Sequence, residues 1–189
     1  GKASVARLVP ELLAAAGLTV GTYTSPHLEA INERISRNGE PISDEELGLA
    51  IGTVSHAEAV AAITPTRFEI LTAAAFVWFA DVAVDVAVIE VGMPGASDAT
   101  NVADGVVAVL TNVGADHASG AERQALAGEL VAIVGDAATF VCGERDPELR
   151  SLLAATPAGR TWWRGMDFDC DQHVLALGGR SLDLRTPTA

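Results

Sequence analysis

The sequence predicts an α/β fold: a doubly wound, mostly parallel sheet flanked by helices, with a small β annex at the C-terminus. Two segments lead to this. VDVAVIEVG (84–92) and GVVAVLTNVG (105–114) are nearly continuous Val, Ile and Leu runs ended by glycine, the pattern of parallel strands buried on both faces. Helical and strand-like segments also alternate along the chain, as a doubly wound sheet requires. The composition agrees: 49% hydrophobic and 20% charged residues support a packed core, and with aromatics at 5% that core must be filled mostly by Ala, Val and Leu.

The elements follow in order. Residues 3–16 are good helix formers closed by Gly17, with Pro10 inside as a point of kink or break. LTVGTYT (18–24) is strand-like and stops at Ser25-Pro26, where the residue before proline disfavours helix. ERISRNGEPIS (33–43) contains Asn38-Gly39, a hairpin signal. Ser43, with Glu46 three residues on, forms a capping box that opens a helix from Asp44 to Ile63. After Pro65, the apolar stretch 68–83 reads as a buried helix. Beyond the two Val-rich strands come a helix at 121–134, a short strand at 139–143 and a capped helix at 146–155. The tail from Thr161 to Thr186 has β-like pieces around Gly178-Gly179. A length of 189 residues suits one domain of ordinary size, here 1–160, with 161–189 as its β tail.

Charge narrows the function. A formal net charge of −13 repels nucleic acid phosphates and anionic membrane surfaces, so neither is an expected partner. No apolar run approaches the ~20 residues that span a bilayer. Cys142 and Cys170 lie far apart in no metal-ligand spacing and read as reduced thiols, which points to the cytoplasm. No nucleophile–base pair, CxxC or HExxH is present, so no residue is assigned to covalent catalysis or zinc hydrolysis.

Several residues could carry other chemistry. Gly1-Lys2-Ala3-Ser4 opens a helix. It fits either the second half of a phosphate-binding loop or an ordinary helix start. Glu90 is an acid in an otherwise apolar strand, and burying an unpaired carboxylate is costly, so it should face a cation or donors at the strand's carboxyl end. Asp116-His117 follows the next strand, where ligands bind in open α/β sheets. The alternative for His117 is a helix-capping or surface histidine. TSPHLEAINERI (24–35) and SDATNV (97–102) concentrate polar residues and read equally as surface loops.

Taken in order, GKAS, TYTSPHL, INERISRNGEPIS, RFEILTAAAFVWFA, VDVAVIEVG, SDATNV, VLTNVGADH and CGERDPEL resemble the folylpolyglutamate synthase/dihydrofolate synthase family of the Mur ligase superfamily. The resemblance implies the Mur ligase central-domain fold of the phosphate-loop type. It implies an ATP-dependent ligase: ATP phosphorylates a pteroate or folyl carboxylate, and the amine of L-glutamate attacks the acyl phosphate to form an amide. It places Gly1, Lys2, Ala3 and Ser4 at ATP, and Ser4, Glu90 and His117 at Mg2+. Thr24, Ser25, Pro26, His27 and Leu28 fall beside the dihydropteroate or folate substrate. It also implies a monomer, and a chain that is the central piece of a longer ligase, lacking the start of the phosphate loop and a C-terminal domain, and inactive alone.

Two departures stand out. Family members usually carry an arginine before DATN, where this chain has Ala96 and Ser97. They also carry a carbamylated lysine near a second metal, where GEL (128–130) puts Leu130. These losses motivate an alternative, a degenerate relative that binds nucleotide or folate without catalysis.

Overall fold

The computed structural model describes residues 1–93, 95–114, 120–135, 137–176 and 179–185, with backbone alone at 132–133, 170–176 and 179–185. The fold is α/β, and the chain divides into two compact units, Gly1–Met93 with Ser97–Val102, and Pro94–Ala96 with Ala103–Ala189.

In the first unit, α1 (Lys2–Ala15) runs through Pro10 as one helix, and Gly17 just beyond it takes φ +92. Next is β1 (Val20–Tyr23), buried along its whole length. A 3-10 turn at Ile31–Arg34 leads into β2 (Ile35–Arg37) and β3 (Glu40–Pro41). These two are joined by Asn38 and Gly39 at φ 49 and 84, the paired positive φ values of a two-residue hairpin turn.

Capping then sets two helices. α2 (Asp44–Ala61) opens on the Ser43/Glu46 box, and α3 (Arg67–Asp81) on a second box made by Thr66 and Glu69. In each, hydroxyl and carboxylate satisfy amides that the helix leaves without partners, and both carboxylates are held below their ordinary pKa by those bonds. α2 ends two residues before the expected Ile63, because Ala62 turns into the left-handed region at φ 53. The sheet order is β3-β2-β1-β4, with β4 (Val86–Ile89) parallel to β1. Tyr23, Ile35, Ile42, Leu47, Trp78 and Phe79 anchor the core. Burial contributes about 1.5–3 kcal/mol for each large apolar side chain. Glu46 also accepts the Trp78 indole N–H at 3.2 Å, tying α2 to α3.

The second unit repeats strand and helix: β5 (Val107–Leu110), α4 (Gly120–Val134), β6 (Thr139–Cys142), α5 (Pro147–Leu153) and β7 (Arg160–Trp163). Its sheet, β5-β6-β7, is wholly parallel, and β8 (Asp169–Ala176) and β9 (Gly179–Arg185) form a separate antiparallel pair. Asp146 caps α5 with Pro147 in the first turn, where a missing N–H costs nothing. Val113, Ala127, Phe140, Leu149 and Leu153 are buried together in its core. Cys142 is a buried free thiol whose pKa burial pushes up, and the Cys170 side chain lies outside the described residues.

A buried carboxylate holds the strand ends of this unit. Glu144 accepts the Val113 amide at 2.8 Å and, on its other oxygen, those of Arg145 and Asp146 at 2.8 and 2.9 Å. Burial acts to raise its pKa, but these bonds and the Arg123 charge outweigh that and hold it below the ordinary value.

One expectation is corrected. The runs around β4 and β5 are not buried on both faces: Val107 and Val109 are 56% and 51% exposed, while Ala108 and Leu110 pack on the core. Among the described residues each of the two strands also stands at the edge of its sheet. An apolar run records what a strand can bury, not what lies against it. Among the described residues no helix is long and apolar enough to cross a membrane.

Candidate functional site

The site of the first unit lies at the carboxyl ends of the parallel neighbours β1 and β4, where open α/β sheets bind ligands. Gly1 to Ser4 are exposed at the start of α1, and the amides of Ser4 and Val5 turn back to the Gly1 carbonyl at 3.1 and 3.3 Å. Lys2 spans from this helix start to the end of β4, donating from Nζ to the carbonyls of Val91 and Gly92 at 2.7 and 3.0 Å. Its three N–H donors suit that fork, and the same ammonium is available to a phosphate.

Glu90 follows β4 directly. It is 4% exposed, and its backbone amide continues the ladder to the Tyr23 carbonyl at 2.8 Å. One carboxylate oxygen accepts the Ser25 amide at 3.1 Å, and the other, Oε1, is buried with no hydrogen-bond partner among the described residues. A buried anionic oxygen without a partner costs on the order of several kcal/mol. A divalent cation is the group that would satisfy it, so the donor chemistry fits an oxygen-seeking ion such as Mg2+.

Behind this, Gly92 admits no side chain: a Cβ there would meet the Phe68 ring at 2.5 Å and the Asp98 carboxylate at 3.0 Å. Asp98, in SDATNV, is buried and accepts the amides of Met93 and Thr100 at 2.7 and 2.9 Å together with the Thr100 hydroxyl. It therefore folds the loop after β4 back on itself, a role that polar content alone did not reveal.

TSPHL (24–28) leaves β1 through a cis Ser25–Pro26 peptide. The INER turn holds it. Thr24 donates its amide to the Arg34 carbonyl at 2.8 Å, and Arg34 Nε donates to His27 Nδ1 at 2.9 Å. The Glu33 carboxylate accepts the amides of Leu28, Glu29 and Ala30 at 2.8, 2.9 and 2.7 Å. Those bonds, Leu28 first, lower the Glu33 pKa from 4.5 to about 2. Leu28 itself is 81% exposed at the rim.

A pH dependence follows from Glu33. Its folded pKa is depressed, so the clamp contributes fully above the unfolded value near 4.5 and is lost as pH falls through about 2. Protection of the amides at 28–30, taken relative to their intrinsic exchange at each pH, is expected to hold down to about pH 4 and to fall as pH drops through about 2. In E33Q the same amides should exchange fast already at neutral pH; equal protection in E33Q and wild type would refute the clamp.

The structure thus gathers Lys2, Glu90 and Ser25 at one strand end, with Thr24, His27 and Leu28 on the adjoining loop. Asp116 and His117 lie outside the described residues. Among the described residues, no cluster of three or more His, Cys, Asp or Glu has metal-binding geometry.

Comparison with known proteins bears on this arrangement. No family model matches the chain. It is 40% identical over 160 residues to the dihydrofolate synthase/folylpolyglutamate synthase of Bacillus subtilis, covering 81% of this chain and 37% of that protein. Folylpolyglutamate synthase of Mycobacterium tuberculosis, solved with ADP and AMPPCP, superposes with a TM-score of 0.87 at 37% identity, over 97% of this chain and 45% of that one. The chain belongs to the folylpolyglutamate synthase/dihydrofolate synthase family. A further bifunctional folylpolyglutamate synthase/dihydrofolate synthase, solved with Mn, AMPPNP and L-glutamate bound, gives a TM-score of 0.82 at 29% identity over 95% of this chain and 45% of that one. The chain spans less than half the length of these folylpolyglutamate synthases. Relative to the family pattern, Ala96 and Ser97 are exposed, and Leu130 packs on the core of the second unit beside Leu126 and Val131. Leu130 serves that core and offers no amine for a carbamate.

Proposed function

We propose that this chain forms the nucleotide-binding part of an ATP-dependent amide ligase joining L-glutamate to dihydropteroate or a tetrahydrofolate. The reading rests above all on Glu90, a buried carboxylate with one oxygen unpartnered among the described residues, beside a lysine that reaches the same strand end from a helix start. The relatives' bound ADP, AMPPCP, AMPPNP, Mn and L-glutamate agree with it.

In this reading the Lys2 ammonium and the first amides of α1 take the ATP phosphates, where the helix dipole favours negative charge. Ser4 and Glu90 would hold Mg2+; His117, the third residue the resemblance implies, is outside the described set. The ion when bound neutralises charge on the phosphoryl group in transfer. The folyl carboxylate oxygen attacks the γ-phosphorus, the bridging P–O bond breaks and ADP leaves. The glutamate amine then attacks the acyl carbon, the C–N bond forms, and phosphate departs as the amine proton passes to solvent. Thr24 to Leu28 border the folate, held by Glu33 and Arg34. Residues 1–160 act as the ATP-binding core with 161–189 as its β tail, in a monomeric, cytoplasmic enzyme that needs no nucleic acid.

The test is product formation by the native protein from ATP, L-glutamate and either dihydropteroate or tetrahydrofolate. An amide product with one ADP per bond supports the ligase. Nucleotide binding without product favours the non-catalytic alternative, for which the core-packed Leu130 is the motive.

A further inference from the structure

Arg34 is half-buried, and its contacts determine more than the path of a loop. Its Nε donates to His27 Nδ1 at 2.9 Å, while its carbonyl holds the Thr24 amide at 2.8 Å. A guanidinium never gives up its proton in a protein and has no acceptor atom. Nδ1 must therefore present a lone pair, which puts the ring's proton on Nε2. The Nδ1–H tautomer would set two donors against each other at hydrogen-bond distance.

The surrounding bonds keep the ring where this can operate. Glu33 clamps the amides of Leu28, Glu29 and Ala30 on one side of His27, and the cis Ser25–Pro26 peptide and the Ser25–Glu90 bond fix the chain on the other. His27 is half-buried, so part of its side chain stays accessible.

We propose that Arg34 is a positioning residue that locks His27 as the Nε2–H tautomer, so that His27 offers a hydrogen-bond donor, and not an acceptor, to the folate-type substrate. The site accordingly selects a substrate with an acceptor atom (a carbonyl oxygen, carboxylate or unprotonated ring nitrogen) at that position. This rests on the ligase reading for the identity of the substrate, but the tautomer itself is independent of it. A purely structural clip would need only the Thr24 and Glu33 bonds, which leave the imidazole free to take either tautomer.

The experiment is 15N NMR of histidine-labelled native protein, with the His27 signals assigned by their loss in H27Q, alongside steady-state kinetics. In wild type, His27 should show an unprotonated, hydrogen-bonded Nδ1 and a protonated Nε2. R34M, which keeps the stem and removes the donor, should yield a tautomer mixture and, because only the Nε2–H fraction can donate, raise KM for the folate substrate about twofold, with KM for ATP unchanged. R34K, which restores a cationic donor and guards against a folding defect, should recover the wild-type signature in part. An Nδ1–H signal or a mixture in wild type overturns the lock, and a scrambled tautomer with unchanged folate KM overturns its role in recognition. A locked tautomer in a protein that forms no glutamate amide supports the lock and overturns the ligase reading instead.

Discussion

Glu90→Gln is expected to cut the rate of glutamate ligation by roughly a hundredfold or more while making the nucleotide-free protein more stable. Both effects have one source. The carboxylate is 4% exposed, and among the described residues Oε1 has no partner while Oε2 accepts the Ser25 amide. Glutamine keeps the shape and can keep the Ser25 bond through its carbonyl oxygen. It removes the buried negative charge, which relieves on the order of 1 kcal/mol without metal. It also replaces the anionic oxygen with an NH2 donor that repels a cation. Thermal melts without nucleotide and initial rates with Mg2+ check the two halves. A variant of lower stability and full activity would mean that Glu90 is a structural acid.

The second large effect is on stability. Phe140→Ala should destabilise the protein by about 3–5 kcal/mol. Phe140 is fully buried on β6, between parallel neighbours β5 and β7, and meets the Trp163 ring edge-on at 6.3 Å between centroids. Alanine leaves a cavity in a close-packed layer and removes the aromatic pair. Urea denaturation should show a lower midpoint with little change of slope. A loss under about 1 kcal/mol would show that the second unit's core is loosely packed around this ring.

Much of the fold was legible because its signals are local. The Asn38-Gly39 turn and the Ser43/Glu46 box depend on residues within three positions of one another, and each recurs in the structure with its expected geometry. Thr66/Glu69 makes the same box, and the same rule would have found it. Burial of the Val-rich strands was overread: Val107 and Val109, on one face of β5, are exposed, because an apolar run does not encode what lies against it.

The site divides in the same way. Glu90 drew attention as a lone acid in an apolar run, which is a local contrast. Lys2 reaching the carbonyls of residues 91 and 92 is a contact across nearly 90 positions, which no periodicity encodes. The Glu33 clamp and the Arg34–His27 bond lie close in sequence, yet they depend on how the chain turns through cis Ser25–Pro26. Polar residue types around a proline predict a loop; they do not say which carboxylate collects which amides. Glu144, in CGERDPEL, was likewise noticed only as part of a motif, although it fastens the end of β5.

The most direct test of the account is Mn2+ binding to the native protein, followed by electron paramagnetic resonance with a non-hydrolysable ATP analogue, in wild type and E90Q. The account predicts nucleotide-dependent uptake of the ion by wild type and at least about a tenfold loss of affinity in E90Q. Equal affinity in the two proteins would contradict it, because the unpartnered oxygen at the end of β4 would then not be a metal ligand.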